Sequence, residues 1–290
     1  MSERRGTIGF VPEGDSVYVF ARRLDVLVGR RLRRGELRVP RHATADLAGH
    51  TVLEQSTHGK HLLTRLSGEL TLHTHLRMDG SWSVVRSGRS LPRHLLPDVR
   101  VLLATETGPT AYGISLPVVE LLATADEGIA IGHLGPDPLR PDWDCDEAVR
   151  RLAADPERPI AAALLDQRNL AGIGNLWANE LCFLRGVSPW TTVGAMDLPA
   201  TVRLAARALR HSAHTPGAYQ VTTGDNRRGR DHWVSGRFAQ PCRRCGTLID
   251  MVAEVPNDPD RRRTWWCPRC QPGPVDRTRS DVSGARPGLP

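Results

Sequence analysis

Lysine is nearly absent from this chain of 290 residues. Of its 39 basic residues, Lys60 is the one lysine and all the others are arginine. An ammonium group is compact and can lose its proton in a suitable environment, whereas a guanidinium stays charged. Lys60 is therefore a candidate for chemistry, although a chance survivor in an arginine-rich composition would explain the same count.

Long apolar runs are also lacking. No stretch approaches the length that crosses a bilayer, and the N-terminus lacks the apolar segment of a secretory signal. These absences predict a soluble, cytoplasmic protein with no membrane partner. Hydrophobic residues still make up 40% of the chain, enough for a packed core, and the length allows two domains and a small appendage.

Basic residues exceed acidic ones, which gives a net charge of +7 and a sequence pI of about 9.6. A surplus of this sign favours a polyanionic partner, of which nucleic acid is the commonest. An arginine-rich proteome without such a partner would produce the same surplus, so charge alone leaves both interpretations open.

The first half of the chain has the pattern of one helix followed by short strands. Apolar spacing from Asp15 to Gly29 predicts a helix with one buried face, which Asp15 or Ser16 can cap. Segments of β-like composition follow, separated by glycine and proline, and they favour a sandwich or barrel. The predicted strands are Thr51–Gln55, His61–Leu66, Leu70–Leu76, Ser81–Val85, Val99–Thr105 and Pro117–Thr124.

The second half has a helical pattern. Pro136, Pro138 and Pro141 mark the boundary between the two halves. Tyr219–Arg230 is a polar loop rich in glycine and arginine, and the C-terminal segment has too few apolar residues for a core and is predicted to be disordered. The predicted helices are Asp146–Ala154, Ile160–Leu165, Asn175–Leu184 and Leu198–His211.

Four of the six cysteines form two CxxC pairs near the C-terminus. Two such knuckles supply the four thiolates that structural zinc prefers in tetrahedral geometry. The sequence therefore predicts one Zn²⁺ without an open coordination position, which holds structure and does no chemistry. The other two, Cys145 and Cys182, stand alone, which argues against a disulfide framework. The predicted ligands are Cys242, Cys245, Cys267 and Cys270.

Between the two knuckles, the segments TLIDMVAEV and RRRTWWC predict the two strands of a hairpin. Arg261, Arg262 and Arg263 lie at the tip end of the second strand. A solvated charge run would look the same. A metal-braced hairpin with three arginines is better explained as a probe into a nucleic-acid groove.

A glycine turn, AGIGN, separates two predicted helices. Gly172 and Gly174 allow close backbone approach at a helix N-terminus, where free N–H groups favour a phosphate. Asn175 can add a side-chain donor. Such turns often only connect helices, but beside a basic hairpin this one is a plausible second contact with the DNA backbone.

These motifs together resemble the formamidopyrimidine-DNA glycosylase and endonuclease VIII family. The resemblance rests on PEGD at Pro12–Asp15, GK at Gly59–Lys60, AGIGN at Ala171–Asn175 and the two CxxC pairs, in that order. HLRMDGSW at residues 75–82 and HLGPDPL at residues 133–139 are also similar to family segments, and the RRGR loop and the TWWCPRCQ ending are more like the endonuclease VIII side.

The resemblance implies an α+β multidomain fold: an N-terminal β-sandwich with an N-terminal helix, a helix–two-turns–helix domain and a zinc-finger hairpin. It also implies excision of oxidised bases followed by cleavage of the abasic strand. The expected ranges are 1–11 for an extension that is not part of the mature enzyme, 12–124 for the sandwich, 125–141 for a linker, 142–233 for the helical domain, 236–271 for the finger and 272–290 for a disordered tail.

The family's nucleophile is the amine of an N-terminal proline, and here the chain departs from the pattern because Pro12 is internal. A proline nitrogen within the chain is an amide and cannot attack, whereas a free proline amine has a pKa of roughly 8 and can form an iminium. We therefore expect residues 1–11 to be missing from the mature protein. Initiation at Val11, encoded by a start codon read as methionine, followed by methionine removal, would expose Pro12.

The resemblance assigns roles to the remaining motif residues. Glu13 is the expected general acid that opens the sugar ring, although a helix-start carboxylate is common on its own. Lys60 would lie near the damaged nucleotide, hold its phosphate and assist proton transfer. Arg262, five residues before the third cysteine, would hold the phosphate flanking the lesion and assist the second elimination. Met78 matches the wedge that fills the space of a flipped base, although a core methionine is the alternative. Arg77 belongs with Met78 to this wedge turn, and contacts with the DNA backbone are expected from His133, Gly172, Gly174 and Asn175.

The sequence thus predicts a monomeric, nucleoid-associated bacterial glycosylase and lyase that acts on damaged double-stranded DNA without a nucleotide cofactor. Oxidised pyrimidines are the expected lesions and oxidised purines the alternative. Two other classes stay open: a catalytically inactive lesion-binding protein of the same fold, and a zinc-ribbon transcription factor. The transcription factor would leave PEGD and Lys60 without a purpose.

Overall fold

A computed structural model describes residues 12–255, 258 and 260–276. The chain divides into two compact units, one ending at Trp143 and the other beginning at Asp144.

The first unit contains helix α1 (Gly14–Leu24), the short helix α2 (Glu127–Ile131) and two four-stranded antiparallel sheets. One sheet has the order β1-β6-β7-β5 and the other the order β2-β3-β4-β8. The strands are β1 (Leu32–Leu37), β2 (Val52–His58), β3 (His61–Leu66), β4 (Leu70–His75), β5 (Ser81–Val85), β6 (Val99–Thr105), β7 (Thr110–Ile114) and β8 (Val118–Ala123).

Both sheets contribute to one apolar cluster, which helix α1 covers. Val17, Phe20 and Leu24 point from α1 into this cluster because they are spaced at helical intervals, three and four residues apart. Leu62 and Leu72 enter it from one sheet and further side chains from the other, which include Val101 and Leu103. Burial of these side chains is the main contribution to the stability of the sandwich.

Strand β2 lies at the edge of its sheet. Two of its carbonyl oxygens accept hydrogen bonds from arginines of other segments. Arg22 Nη2 donates to Gln55 O at 2.8 Å, and Arg140 Nη1 donates to Thr57 O at 3.4 Å. These guanidinium groups occupy part of the edge that a further strand would use.

The second unit contains four helices and a small hairpin. Asp144 and Asp197 cap the first and last helix, since their side chains accept from Glu147 N at 2.9 Å and Ala200 N at 3.0 Å. Gly186, with φ of 69°, ends the third helix in the left-handed conformation. The elements are α3 (Cys145–Ala153), α4 (Ile160–Leu165), α5 (Asn175–Arg185), α6 (Leu198–His214), β9 (Asp250–Val252) and β10 (Thr264–Trp266).

The structure corrects several element predictions. Helix α1 ends at Leu24, and a 3₁₀ turn occupies part of the range predicted as helix. Strands β1 and β7 were not predicted. Both contain a glycine where a side chain would collide: a Cβ on Gly35 would lie 2.5 Å from Leu47 Cβ, and one on Gly113 would lie 2.4 Å from Leu116 Cδ1. The glycines interrupt the alternating pattern from which strands are predicted.

Two predicted irregular segments are partly ordered. The range 125–141, predicted as a linker, contains α2 and lies in the first unit. Residues 272–276 were predicted to belong to a disordered tail, but Pro274 O accepts a hydrogen bond from Ser188 Oγ, and Asp276 pairs with Arg261 at 3.5 Å. The finger strands have three residues each, fewer than predicted. The predictions for 1–11 and for 277–290 lie outside the described residues.

Candidate DNA-repair site

The PEGD stretch lies buried at the start of α1. Pro12 precedes the helix, and Glu13 is its N-cap residue and has no solvent exposure. The Glu13 backbone N–H donates to Ser16 Oγ at 3.1 Å, and Asp15 Oδ1 accepts from Ser16 N at 2.8 Å. The helix-start position proposed as the alternative for Glu13 is therefore real. It does not exclude catalysis, because a buried carboxyl at this position is also well placed for proton transfer.

Gly59 and Lys60 form the two-residue turn between β2 and β3. Asp137, which is 2% exposed, accepts from Gly59 N at 2.7 Å and from Leu139 N at 2.8 Å. Burial raises the pKa of the Asp137 carboxyl to about 6, against the opposite effect of the two N–H donors. Asp137 thus fixes the Lys60 turn to the HLGPDPL segment. We did not predict this role, although the residue lies within a segment that carries the resemblance.

His61, the first residue after this turn, contacts the rings of three other histidines, and we call the four the histidine cluster: His61, His73, His75 and His133. The His61 ring stacks on His73 at 5.0 Å and lies edge-on to His75 at 4.8 Å and to His133 at 6.2 Å between centroids. His61 Nδ1 and His73 Nε2 are 2.9 Å apart, and His73 Nδ1 lies 2.9 Å from Glu120 Oε2. Only His133 of this cluster was predicted as a site residue.

Two members of the histidine cluster are held uncharged. Burial, followed by the neighbouring imidazoles, lowers the pKa of His61 to about 3. Burial and the ammonium of Lys60 lower the pKa of His75 to about 4. Lys60 is therefore close enough to His75 to act on its ionisation. At neutral pH the two imidazoles are therefore uncharged and supply hydrogen-bonding groups beside Lys60.

The predicted wedge turn follows directly. Arg77 has a left-handed backbone with φ of 46°, and its N–H donates to His75 Nδ1 at 3.0 Å. Gly80 N donates to Leu76 O at 2.8 Å and closes the turn. Met78 is 61% exposed, which excludes the alternative of a core methionine. An exposed apolar side chain on a closed turn suits insertion into a base stack.

The glycine turn in the second unit leads into α5. Gly172 has φ of 96°, a conformation that favours glycine, and its N–H donates to Gln167 Oε1 at 3.0 Å. That amide is thus engaged within the protein, so the contribution of Gly172 is the shape of the turn. Asn175 is the first residue of α5, and its Nδ2 donates to Arg263 O at 2.9 Å.

The four predicted metal ligands converge. Their sulfur atoms all lie within 4.8 Å of one another, with Cys242 and Cys270 Sγ 4.0 Å apart and Cys245 and Cys267 Sγ 3.4 Å apart. Sulfurs bound tetrahedrally to zinc at about 2.3 Å are separated by about 3.8 Å, so the set fits a metal of this type. The backbone N–H of Arg244 donates to Cys242 Sγ at 3.4 Å, and that of Cys270 donates to Cys267 Sγ at 3.4 Å.

The finger arginines are paired with acids or rest on a ring. Arg262 forms an ion pair with Glu254, and both side chains are nearly half exposed. Arg261 pairs with Asp258 at 3.3 Å. The Arg263 guanidinium lies 6.0 Å from the centroid of Trp265. An exposed ion pair contributes little to stability, so a phosphate can replace Glu254 at small cost.

One anchoring residue of the second unit was missed by sequence reasoning. Glu180, on α5, is fully buried and accepts from Trp233 N at 2.9 Å and from Val234 N and Ser235 N at 2.8 Å each. Thr222 Oγ1 donates to it as well. These bonds hold both ends of the arginine-rich loop against α5. A glutamate on a helix gives no sign of this role in the sequence, because its donors lie far along the chain.

Family models match both units of the chain. The formamidopyrimidine-DNA glycosylase N-terminal domain matches residues 11–111, and the formamidopyrimidine-DNA glycosylase H2TH domain matches residues 134–211. Among the described residues, no helix combines the length and the apolar character that a membrane crossing requires.

Relatives and solved structures agree with these matches. The chain is 50% identical over 279 residues to probable endonuclease 8 2 of Streptomyces coelicolor, and the aligned region covers 96% of this chain and 99% of the relative. It is 43% identical over 263 residues to the DNA-(apurinic or apyrimidinic site) lyase Nei2 of Mycolicibacterium smegmatis, with coverages of 90% and 99%. Lactococcus lactis Fpg (MutM) in complex with DNA containing N7-benzyl-Fapy-dG has the same fold, with a TM-score of 0.71, 22% identity and coverages of 90% and 100%.

The order of the sequence motifs, the cysteine cluster and these matches together show that the chain belongs to the formamidopyrimidine-DNA glycosylase and endonuclease VIII family.

Proposed function

We propose that this protein is a bifunctional DNA glycosylase and AP lyase of base excision repair that uses Pro12 as its nucleophile. The supporting observation is that the family match begins at residue 11, next to Pro12, while Glu13 lies buried at the N-cap of α1. Glycosylase and lyase activity agrees with the relatives named endonuclease 8 and DNA-(apurinic or apyrimidinic site) lyase.

In the proposed reaction, the Pro12 amine forms a bond to C1′ of the damaged nucleotide as the N-glycosidic bond breaks and the base leaves with its electron pair. The nitrogen loses its proton, which the departing base can accept, Glu13 donates a proton to the ring oxygen, and the bond from that oxygen to C1′ breaks, so that the open sugar is joined to Pro12 as an iminium. β-Elimination then releases the 3′ phosphate and δ-elimination the 5′ phosphate. An amide nitrogen cannot take the first step, so the active form begins at Pro12.

The remaining roles concern charge and shape. Lys60 holds a phosphate beside the lesion, on a turn whose backbone Asp137 fixes. Arg262 exchanges Glu254 for the phosphate flanking the lesion and assists the second elimination. Met78, with Arg77, fills the space that the extruded base leaves. Asn175, Gly174 and His133 contact the DNA backbone, and Gly172 shapes its turn.

The four cysteines hold one Zn²⁺, which braces the finger and takes no part in the chemistry. The partner is damaged double-stranded DNA, bound by a monomer in association with the bacterial nucleoid. Oxidised pyrimidines are the preferred lesions, in keeping with the higher identity to relatives named endonuclease 8 than to those named formamidopyrimidine-DNA glycosylase. Excision assays on matched thymine-glycol and 8-oxoguanine duplexes test this preference directly.

Borohydride trapping tests the nucleophile. A protein that begins at Pro12 should form a stable crosslink with an abasic duplex, because borohydride reduces the iminium to an amine. A chain that begins at Met1, with its N-terminus verified by intact mass, should bind the same duplex without crosslinking. Efficient trapping by that longer chain would refute the role of Pro12, and Lys60 would become the nucleophile to examine. Absence of trapping by either form would leave a DNA-lesion binder without catalysis.

A further inference from the structure

Two asparagine side chains join helix α5 to the finger strand β10. Trp265 N donates to Asn179 Oδ1 at 2.9 Å, and Asn179 Nδ2 donates to Asn175 O at 2.6 Å. One turn earlier on the helix, Asn175 Nδ2 donates to Arg263 O at 2.9 Å. The finger strand is thus attached at two of its backbone groups, two residues apart. Asn179 is 2% exposed, so its bonds are protected from water.

The finger hairpin is too small to be stable without such an attachment. Its hairpin consists of two strands of three residues, and an isolated hairpin of this size is marginal in water. Trp265 pairs with Met251 of β9, but its N–H is directed to Asn179. The asparagine therefore supplies the partner that a third strand would otherwise offer. Removal of this buried acceptor would leave the Trp265 N–H without a partner and so destabilise the attachment.

The attachment determines where the finger arginines lie. The chain from Trp265 back to Arg262 is only three residues long, and the Arg263 carbonyl between them is fixed by Asn175. Asn175 is also the first residue of α5, directly after the glycine turn. The helix N-terminus and the finger arginines therefore belong to one hydrogen-bonded unit, which offers two groups to DNA phosphates at a set separation.

We propose that Asn179 is a positioning residue, which acts through the finger strand to place Arg262 for the phosphate beside the lesion. This inference rests on the proposed DNA contact of Arg262. Asn179 itself touches no DNA. Its substitution should weaken DNA binding without changing the chemistry of the amine.

The test compares Asn179→Ala with Asn169→Ala. Asn169 is a matched control, because its Nδ2 donates to Ala163 O at 3.1 Å within the same unit and not to a backbone group of the finger. Affinity is measured by fluorescence anisotropy with a duplex that carries an uncleavable abasic-site analogue. Asn179→Ala should raise the Kd about tenfold, the equivalent of about 1.4 kcal/mol, and Asn169→Ala less than about twofold. Metal content should stay at one zinc in both variants.

A double-mutant cycle separates positioning from general loosening. If Asn179 acts through Arg262, Asn179→Ala should cost little in a protein that already carries Arg262→Ala, since the two effects share one contact. Additive losses of affinity would overturn the proposal, and so would equal losses in Asn179→Ala and Asn169→Ala.

Asn179→Asp serves as a second variant should Asn179→Ala lose its zinc. The aspartate keeps an acceptor for Trp265 N but places an anionic oxygen against Asn175 O in a buried position, so it should weaken binding at least as much as alanine does, and this loss too should be non-additive with Arg262→Ala. A loss equal to that of a finger without zinc would refute the specific role. Because anisotropy needs no covalent step, these outcomes are independent of borohydride trapping. Failure of Pro12 as nucleophile can thus be distinguished from failure of this proposal.

Discussion

The histidine cluster of the first unit and the finger arginines of the second unit differ in charge: two buried imidazoles are held neutral, whereas the exposed guanidinium groups stay positive. His61 and His75 are partly buried, and their lowered pKa values keep both rings uncharged at neutral pH. The finger arginines are exposed, and Arg262 is balanced by Glu254. The first arrangement suits chemistry, in which one proton must be moved at one atom. The second suits a polyanion, which exchanges one anionic partner for another at low cost.

Substitution of Glu13 should have the largest effect of the variants considered, because it should lower the rate of base excision without changing DNA affinity. Glu13→Gln removes the proton donor but keeps the shape, and general acid–base catalysis contributes typically 10²–10⁴-fold. In the form that begins at Pro12, base excision should fall by about this factor, and cleavage of a preformed abasic site should fall less. DNA affinity should be unchanged. Single-turnover excision and strand-cleavage assays measure the two rates, and a loss of affinity instead would mean that Glu13 serves only the helix start.

Loss of the metal should instead weaken DNA binding and leave the sandwich folded. Cys267→Ser removes one of four ligands, so the zinc should be released and the finger should loosen. DNA binding should weaken about tenfold or more, because at least one phosphate contact is lost. The sandwich core, in the other unit, should stay folded by circular dichroism. Metal analysis of the parent protein is the control, and a pure protein without bound zinc would contradict the assignment.

The exchange of Glu254 for phosphate predicts effects of opposite sign. Arg262→Ala should lower the slope of log affinity against log salt by about one unit, since one phosphate contact disappears. Glu254→Gln should raise affinity by about threefold, because the arginine no longer has to leave an anionic partner within the protein; this factor corresponds to about 0.65 kcal/mol, within the range for an exposed ion pair. Titrations at several salt concentrations measure both. An unchanged slope for Arg262→Ala would mean that Arg261 or Arg263 makes the phosphate contact instead.

A further expected effect concerns the stability of the folded protein in acid, to which the histidine cluster contributes, and not DNA binding. The pKa values of His61 and His75 are lower in the folded protein than the ordinary value of 6.5, so the unfolded chain binds more protons between about pH 4 and 6.5. Their contribution to stability is therefore complete above pH 6.5 and is lost as pH falls. Asp137 acts oppositely, because its raised pKa makes the folded state lose stability as pH rises from 3.8 to about 6.

His61→Gln should consequently flatten the pH dependence of unfolding in the range from pH 6.5 to 5. The free energy should change less steeply by up to about 1.4 kcal/mol per pH unit, the value for one proton. Urea unfolding at a series of pH values measures this slope. His94→Gln is the control, because His94 is exposed. An equal change in both variants would show that the slope does not come from the cluster.

Local motifs were the part of this protein that the sequence predicted well. The β3 bounds, the start of α5 and the convergence of four cysteines follow from periodicity and spacing, which are local properties. Contacts between distant residues were not predictable in the same way. Asp137 binds a turn 78 positions away, and Glu120 lies 47 positions from His73. No pattern within a short window reports such pairs, so the sequence located the lysine turn but not the residues that hold it.

Glycine explains the two missed strands for a similar reason. Gly35 and Gly113 are needed because Leu47 and Leu116 approach the backbone closely. In the sequence alone, the same glycines indicate turns, since nothing local distinguishes a close approach from a change of chain direction. Arg33 and Arg34 further hide β1, because exposed charges interrupt its apolar alternation.

The arginines along β2 have a consequence for the behaviour of the protein in concentrated solution. An open sheet edge lets a second molecule add its own strand, and repeated addition leads to aggregates. Arg22 and Arg140 already occupy the carbonyls of Gln55 and Thr57, and each brings a charge that a neighbouring copy would have to displace or bury. At this edge, therefore, an added strand would meet two guanidinium groups in place of two open carbonyls.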